Sequence, residues 1–313
     1  MRLLSSLFLL TGFFALLFLL PACGEEVNPD YQTEAADPAF YHASVKQLTD
    51  VIVHDIFSPP VASRIYSYAN IAGYEVMAAA NGQYASLGGQ VTDFTTAPQP
   101  EMGLEYCYPL AAVHAFNLVG KSLIFSEEKI DKFQEEQLAR FAEIGIPGEV
   151  MQRSLAYGEE VAKHVIAHYD GDMYKQTRTF PKFAITNDET RWQPTPPDYM
   201  DGIEPSWAKI RPFTLAGADQ FKPAPPTPYS TDKSSLFWEE VLEVYHALDT
   251  DDPAQAEERI AIAKFWDCNP YVSHHNGHLM FATKKITPGG HWINIVNIVA
   301  QQAEADLPQT IEA

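Results

Sequence analysis

Cysteine is nearly absent from this chain of 313 residues. It occurs only at Cys23, Cys107 and Cys268, and no two of these form a CxxC pair. So few cysteines exclude a disulfide-stapled scaffold in a chain of this length and leave no cysteine-based zinc motif. An HExxH zinc sequence is absent as well. The sequence leaves open whether Cys107 and Cys268 pair.

Basic residues are also scarce, because 21 Lys and Arg stand against 41 Asp and Glu, giving a net charge of −20. Binding to a phosphate backbone depends on Lys and Arg, so this balance excludes a nucleic-acid partner. Hydrophobic residues make up 46% of the chain and aromatic residues 12%. That is enough to bury a large core, in one large domain or two small ones.

Strand-like alternation of apolar and polar residues is missing too, and helical spacing prevails, which predicts an all-α fold. Asp37 and Pro38 open the first helix, and Ser58 caps a second that Gly82 closes. A last helix follows the sequence TPGGHW, and its apolar residues cover more than one face, which predicts a central position. Further helices are predicted over residues 109–124, 127–144, 149–169, 234–248 and 252–266.

Residues 170–235 interrupt the helical pattern, since ten of the chain's 23 prolines lie there. So long a segment is typical of a functional loop system, and its large aromatic side chains should be buried. We expect Trp192, Trp207 and Phe213 to fasten this segment onto the helices. The alternative is a platform for a carbohydrate or an aromatic ligand. The aromatic residues concerned are Trp192, Tyr199, Trp207, Phe213 and Phe221.

The N-terminus is predicted to be a targeting segment. Residues 1–22 combine Arg2 with an apolar run that ends in LLPAC, which matches a lipoprotein signal peptide. Cys23 is then the lipid-modified first residue of the mature protein, residues 23–36 form a tether, and residues 37–313 belong to one domain. The expected location is the outer face of a bacterial membrane. The alternative is an uncleaved membrane helix, for which the run is close to the minimum of about 17 residues.

A histidine-rich string, NPYVSHHNGHLMFATKKITPGGHW, covers residues 269–292. His278 lies four residues after His274 and three after His275, so on a helix two imidazoles would share a face, as a zinc site requires. No carboxylate motif supports such a site. The competing interpretation places the histidines in hydrogen bonds within a loop packed on Trp266 and Trp292.

Two further polar features border this string. Asp267 is either a turn carboxylate or, if buried beside aromatic residues, a proton-handling group with a raised pKa. Lys284 and Lys285 are predicted to be solvated charges.

Three strings together resemble one family. They are PPVASRIYSYANIAGYE at residues 59–75, RWQPTPPDYMDGIEPSWAKIRPFTLAGADQFKPAPP at 191–226, and FWDCNPYVSHHNGHLMFATKKITPGGHW at 265–292. They are similar to the bacterial lineage of vanadium-dependent haloperoxidases, within the type 2 phosphatidic acid phosphatase superfamily. The resemblance implies an all-α helical bundle, vanadate as cofactor, and small substrates, either halide with peroxide or a phosphate ester.

That superfamily binds its oxyanion through three elements, and none is present here. Arg211-Pro212 should follow a lysine that is Glu204 in this chain. The Pro-Ser-Gly-His element has only the counterpart Pro288 to His291, with glycine in place of serine. Ser63-Arg64 should precede a histidine that is instead Asn70. The resemblance therefore implies no catalytic or vanadate-binding residue in this chain, and places His275, His278, His291 and Asp267 near the mouth of the cleft.

These observations predict a fragment, the N-terminal part of a single domain whose oxyanion-binding helices follow Ala313. The last helix begins at Asp306 and has no apolar stripe, and the surface from Trp292 to Val299 should be exposed. Haloperoxidase activity is the leading expectation for the full-length lineage, ahead of acid phosphatase. A non-catalytic surface-binding lipoprotein is the alternative from a different class.

Overall fold

The structure is a computed structural model that describes residues 27–80, 82–196, 199–267, 272–276 and 279–313. The predictions for Cys23, Cys268 and His278 therefore lie outside the described residues. None of the helices within these ranges is both long enough and apolar enough to cross a bilayer.

The regular secondary structure of the described residues is almost entirely helical, as predicted. The helices are α1 (Tyr31–Ala35), α2 (Ala39–His54), α3 (Pro59–Ala80), α4 (Tyr108–Lys121), α5 (Glu127–Glu143), α6 (Gly148–Asp170), α7 (Tyr174–Thr177), α8 (Leu236–Tyr245), α9 (Pro253–Trp266), α10 (Pro288–Gln302) and α11 (Leu307–Glu312). Two short 3-10 turns, Trp207–Lys209 and His246–Leu248, accompany them. The expectation of no strands is wrong in one place, because β1 (Val272–Asn276) and β2 (Leu279–Thr283) form an antiparallel hairpin.

The core lies where α3 packs against α4 and α4 packs against α6. Tyr41 of α2 is fully buried beside Gly73 of α3, where an added Cβ would lie 2.6 Å from the tyrosine oxygen. Only glycine permits that approach. The Tyr41 hydroxyl donates to Asn70 Oδ1 at 2.9 Å, so the polar atom of this buried side chain keeps a hydrogen-bond partner.

Helix starts are fixed by side chains, one of them distant in sequence. Asp55, just after α2, accepts from the backbone N–H groups of Phe125 and Ser126 at 2.9 and 3.0 Å, directly before α5 begins. Asp306 and Gln309 form a reciprocal capping box at α11, which confirms the predicted cap at Asp306. These contacts satisfy backbone donors that have no partner within the helix.

The C-terminal helices pack on one side only. Helices α10 and α11 both contact α3, and Leu307 and Ile311 are buried there. The predicted central position of α10 is wrong for the described structure, since Trp292 remains 59% and Val299 56% exposed. The expected exposure of this surface is confirmed. The physical reason is that α10 packs on α2 and α3 with one face, while on its other face only the start of the helix, at His291 and Trp292, meets the end of α9.

The Pro-rich segment is fastened at only two of its predicted points. Trp207 and Phe213 pack against the body, through Tyr174 at 6.4 Å and Tyr68 at 5.1 Å between ring centroids. Trp192, Tyr199 and Phe221 stay at least half exposed, so their predicted burial is wrong.

Candidate functional site

The histidine-rich string forms a hairpin, which removes the argument for a helical pair of imidazoles. His274 and His275 lie on β1 and pair in register with Phe281 and Met280 of β2. Successive residues of a strand alternate between its two faces, so the helical spacing on which the proposed pair rested does not apply here. His278 lies outside the described residues. Among the residues that the structure describes, no group of three or more His, Cys, Asp or Glu is arranged to hold a metal ion.

Asp267 and His291 lie beside the aromatic end of α9. The Asp267 carboxylate accepts from Lys285 Nζ at 2.7 Å, and both side chains are partly exposed, so Asp267 is not the buried group of the proton-handling alternative. The ring of His291 packs against Phe265 and Trp266, with centroids 5.5 and 5.3 Å apart. His291 therefore packs on aromatic rings from the first turn of a helix rather than from a loop.

The two neighbouring lysines both have partners. Lys285 binds Asp267, and Lys284 Nζ donates to the carbonyl oxygen of His54 at 2.6 Å. Lys284 is exposed, as predicted for a solvated charge, whereas Lys285 is only 32% exposed in its pair with Asp267. Lys284 joins the end of the hairpin to the end of α2.

The PGGH segment forms the first turn of α10 and touches α3. Thr287 caps the helix by accepting from Gly290 N at 3.2 Å. An added Cβ on Gly289 would lie 2.8 Å from Ser63 Oγ, so the backbone approaches α3 as closely as only glycine allows. Two of the strings that carry the resemblance thus meet in space, at Ser63 and Gly289.

A cavity of about 560 Å³ opens between α3, the end of α6 and the Pro-rich segment. It contains both arginines of the incomplete oxyanion elements, which are far apart in sequence. The lining residues that matter here are Arg64, Asp172, Trp207, Arg211, Phe213 and Leu215.

A buried ion pair forms the floor of the cavity. Arg64 Nε lies 2.7 Å from Asp172 Oδ2, and these side chains are only 5% and 1% exposed. Asp172 also accepts from the Tyr68 hydroxyl at 3.1 Å and from Tyr174 N at 2.9 Å. Burial, and then the neighbouring Asp172 charge, raise the pKa of Tyr68, which therefore stays a neutral donor.

Arg211 closes one side of the cavity. Its backbone N–H donates to the Asp172 carbonyl at 3.0 Å, and its Nη2 donates to the His168 carbonyl at 2.8 Å. Burial, and then the Arg211 charge, lower the pKa of His168 to about 4. His168 is therefore neutral at pH 7, and the positive charge of this wall belongs to Arg211.

The cavity does not fit vanadate. A multiply charged oxyanion needs several cationic groups and main-chain donors that converge on it. Here Arg64 is already paired with Asp172, whose carboxylate would repel such an anion, and Arg211 is held by the His168 carbonyl. The described residues thus agree with the motif search, in which none of the oxyanion elements is complete.

Asp172 is the residue that sequence reasoning missed. It belongs to the string DGD at residues 170–172, which in sequence marks only the end of the helix predicted over residues 149–169. The available signal was that an acidic residue at a helix end can pair with an arginine elsewhere in the chain. Nothing in the sequence shows that Arg64 is that arginine, because 108 residues separate the two.

Comparison with solved structures relates this chain to a known protein. Neither the family models nor the curated proteins match this chain. A solved structure described as the first bacterial vanadium-dependent iodoperoxidase is similar with a TM-score of 0.79 and 43% sequence identity. The match covers 88% of this chain and 64% of that chain, so the present chain spans less than two thirds of that protein. By fold and sequence together, the chain belongs to the superfamily of vanadium-dependent haloperoxidases and type 2 phosphatidic acid phosphatases.

Proposed function

We propose that this chain is the N-terminal part of a vanadate-dependent haloperoxidase, with iodide as the first halide to test. The observation that carries the proposal is the 43% identity, with a TM-score of 0.79, to an iodoperoxidase. Identity at this level over 88% of the chain supports a shared chemistry more strongly than fold alone would. Bound vanadate would supply the activation of peroxide that oxidises the halide.

Within this proposal, the 313 residues provide scaffold and surface, and no step of halide oxidation is assigned to them. The support is that all three oxyanion elements are incomplete and that Asp172, paired with Arg64 in the cavity, would repel a multiply charged anion. The packed α3, α4 and α6 would form the rigid support on which the oxyanion-binding segments rest. His275, His291 and Asp267 remain candidates for the mouth of that cleft, together with His278.

The test uses the protein encoded by the complete reading frame, assayed for iodide oxidation with peroxide. We expect turnover that requires vanadate and that phosphate inhibits, because the two anions would compete for one site. Hydrolysis of a phosphate ester without iodide oxidation would assign the protein to the phosphatase branch instead. Neither activity, in protein shown to be folded, would favour a non-catalytic surface-binding role.

We also propose that Cys23 carries lipid and holds the domain on the outer face of a bacterial membrane. The support is the signal-like segment of residues 1–22, which ends in a small residue before this cysteine. Incorporation of labelled palmitate into the wild type and its loss in Cys23→Ala is the expected result. Cys107→Ala is the matched control, since that cysteine is buried in the core. Label retained in Cys23→Ala would contradict the anchor.

A further inference from the structure

We propose that the cavity between α3 and the Pro-rich segment is a binding site for a small organic monoanion, a carboxylate carried on an apolar body. This site is separate from the oxyanion chemistry of the superfamily, which the cavity does not fit. Its volume of about 560 Å³ lies within the range of about 300 to 1,000 Å³ that is typical of small-molecule sites.

The charge of the lining selects one negative charge. Arg64 and Arg211 supply two positive charges, and Asp172 supplies one negative charge that Arg64 neutralises. The Asp172 carboxylate already accepts from Arg64, Tyr68 and the backbone of Tyr174, so it has little capacity left for a ligand. The residues that line the cavity therefore carry a net charge of +1, in a chain whose net charge is −20. Arg211 Nη1 also lies 3.8 Å from the Asp93 carboxylate, but that side chain is 73% exposed and outside the lining, so solvent weakens this pair.

Arg64 is held in place for such a ligand. Its guanidinium carbon lies 4.4 Å from the ring centre of Tyr174, 5.0 Å from that of Tyr68 and 5.2 Å from that of Tyr169. Nε donates to Asp172, and Nη2 approaches the Tyr169 carbonyl at 3.5 Å. Nη1 makes no hydrogen bond to any residue of the described ranges, although Arg64 lines the cavity. A fixed donor without a partner is what a carboxylate oxygen requires.

The remaining walls are apolar. Trp207, Phe213 and Leu215 form them together with two prolines, Pro60 and Pro212. This combination of an apolar wall with few charged groups is the usual composition of a small-molecule site, in which the apolar body gives affinity and the charge fixes orientation. Free inorganic phosphate offers no such body, so it should bind poorly.

A purely structural role for the Arg64 and Asp172 pair is the competing explanation, since Asp172 also joins α6 to α7 through Tyr174 N. The two explanations differ at Arg211 and Ser67. Arg211 lies on the cavity wall outside the ion pair, and Ser67 lines the cavity from α3. Removing the Arg211 charge, or filling the cavity from Ser67, should weaken ligand binding while leaving the pair intact.

Calorimetric titration of the full chain with phenylacetate tests the proposal, with phenylacetamide and inorganic phosphate as comparison ligands. The titration contains no vanadate, halide or peroxide, so its outcome is independent of the proposed haloperoxidase activity. We expect phenylacetate to bind and the neutral amide to bind about tenfold or more weakly, because a charge-assisted hydrogen bond is lost. Arg211→Gln should weaken the binding of phenylacetate by a similar factor.

Two variants keep the result unambiguous. Lys209→Gln removes the same charge two residues away, outside the lining, and should leave the affinity unchanged. Ser67→Phe should abolish binding by occupying the cavity, which decides the matter even if Arg211→Gln fails to fold. The proposal would be overturned if the acid and the amide bound equally well, or if Lys209→Gln and Arg211→Gln lost the same affinity. It would also be overturned if phosphate bound more tightly than phenylacetate, or if phenylacetate did not bind at millimolar concentration.

Discussion

Two regions of this chain, residues 31–177 and residues 178–286, both contain regular α-helices but differ in how far their side chains are buried. The first region contains nearly the whole core, from Tyr31 to Thr177. Among the residues of the second region whose burial is described, none is buried. Yet α8 is as apolar in sequence as helices of the core, and its Val244 and Tyr245 are 77% and 76% exposed.

This difference teaches that helix formation and burial are separate outcomes. A cap and good spacing suffice for α8 and α9, where Ser235 and Asp252 accept from the first-turn backbone. Burial requires a second surface, which α3 and α4 give one another and which the described residues do not give to α8 or α9. Exposed apolar patches of this kind mark surfaces that are covered in the functional state.

The sharpest contrast is expected from one substitution made in both regions. Phe116→Ala empties a fully buried site in α4 and should lower the free energy of unfolding by about 3 to 5 kcal/mol. Phe265→Ala, at a side chain that is 64% exposed, should change it by less than about 0.5 kcal/mol. Urea denaturation of both variants measures the difference. Equal effects would show that the second region is as well packed as the first.

The buried ion pair should show a similar contrast in charge. Asp172→Asn leaves Arg64 buried without its counter-charge and should destabilise the chain by about 3 to 5 kcal/mol. Asp201→Asn breaks the pair between Asp201 and Lys182, which are 66% and 85% exposed, and should leave the stability almost unchanged because solvent screens the pair. Thermal unfolding of the two variants measures the difference. An equal decrease in Tm for Asp201→Asn and Asp172→Asn would refute the account.

A smaller effect is expected at the cap of α5. Asp55→Ala leaves the N–H groups of Phe125 and Ser126 without their acceptor and should cost about 1 to 2 kcal/mol. Asp50→Ala, which removes only an exposed pair with Lys46, serves as the control. Burial alone would raise the pKa of the Asp55 carboxyl, but the hydrogen bonds from Ser126 and Phe125 outweigh it and lower that pKa. Its contribution should therefore be lost only when the carboxylate is protonated in acid.

The smallest effect concerns pH. Burial lowers the pKa of His114 from 6.5 to about 4, and Gln134 Nε2 lies 2.8 Å from its Nδ1. Between these pH values the unfolded chain binds more protons than the folded one, so stability should fall as pH falls through that window. His114→Gln should reduce the slope of this part of a plot of Tm against pH, and the remaining slope is expected from His168, whose pKa is also lowered to about 4. A flat wild-type plot would refute the prediction.

The sequence predicted the helices well, because caps and spacing are local signals. The predicted start of α5 at Glu127 is confirmed, and so are the caps at Asp252 and Asp306. The hairpin was missed because the histidine spacing in that string also suits a helix. Register and pairing depend on the partner strand, which local periodicity does not describe.

The candidate site was less predictable than the fold. Arg64 and Arg211 attracted notice as parts of incomplete motifs, but their meeting across Asp172 depends on how α3, α6 and the Pro-rich segment pack. The exposure of Trp192 and Tyr199 was likewise unpredictable, since aromatic composition favours burial without naming the surface that provides it.

The most direct test compares vanadate binding by two proteins, the 313-residue chain and the product of the complete reading frame. Calorimetric titration with orthovanadate should show no binding to the 313-residue chain at millimolar concentration, because its oxyanion elements are incomplete and the Asp172 carboxylate in the cavity would repel a multiply charged anion. The complete protein should bind vanadate, and that complex should oxidise iodide. Tight, stoichiometric vanadate binding by the 313-residue chain, or none by the folded complete protein, would contradict the account.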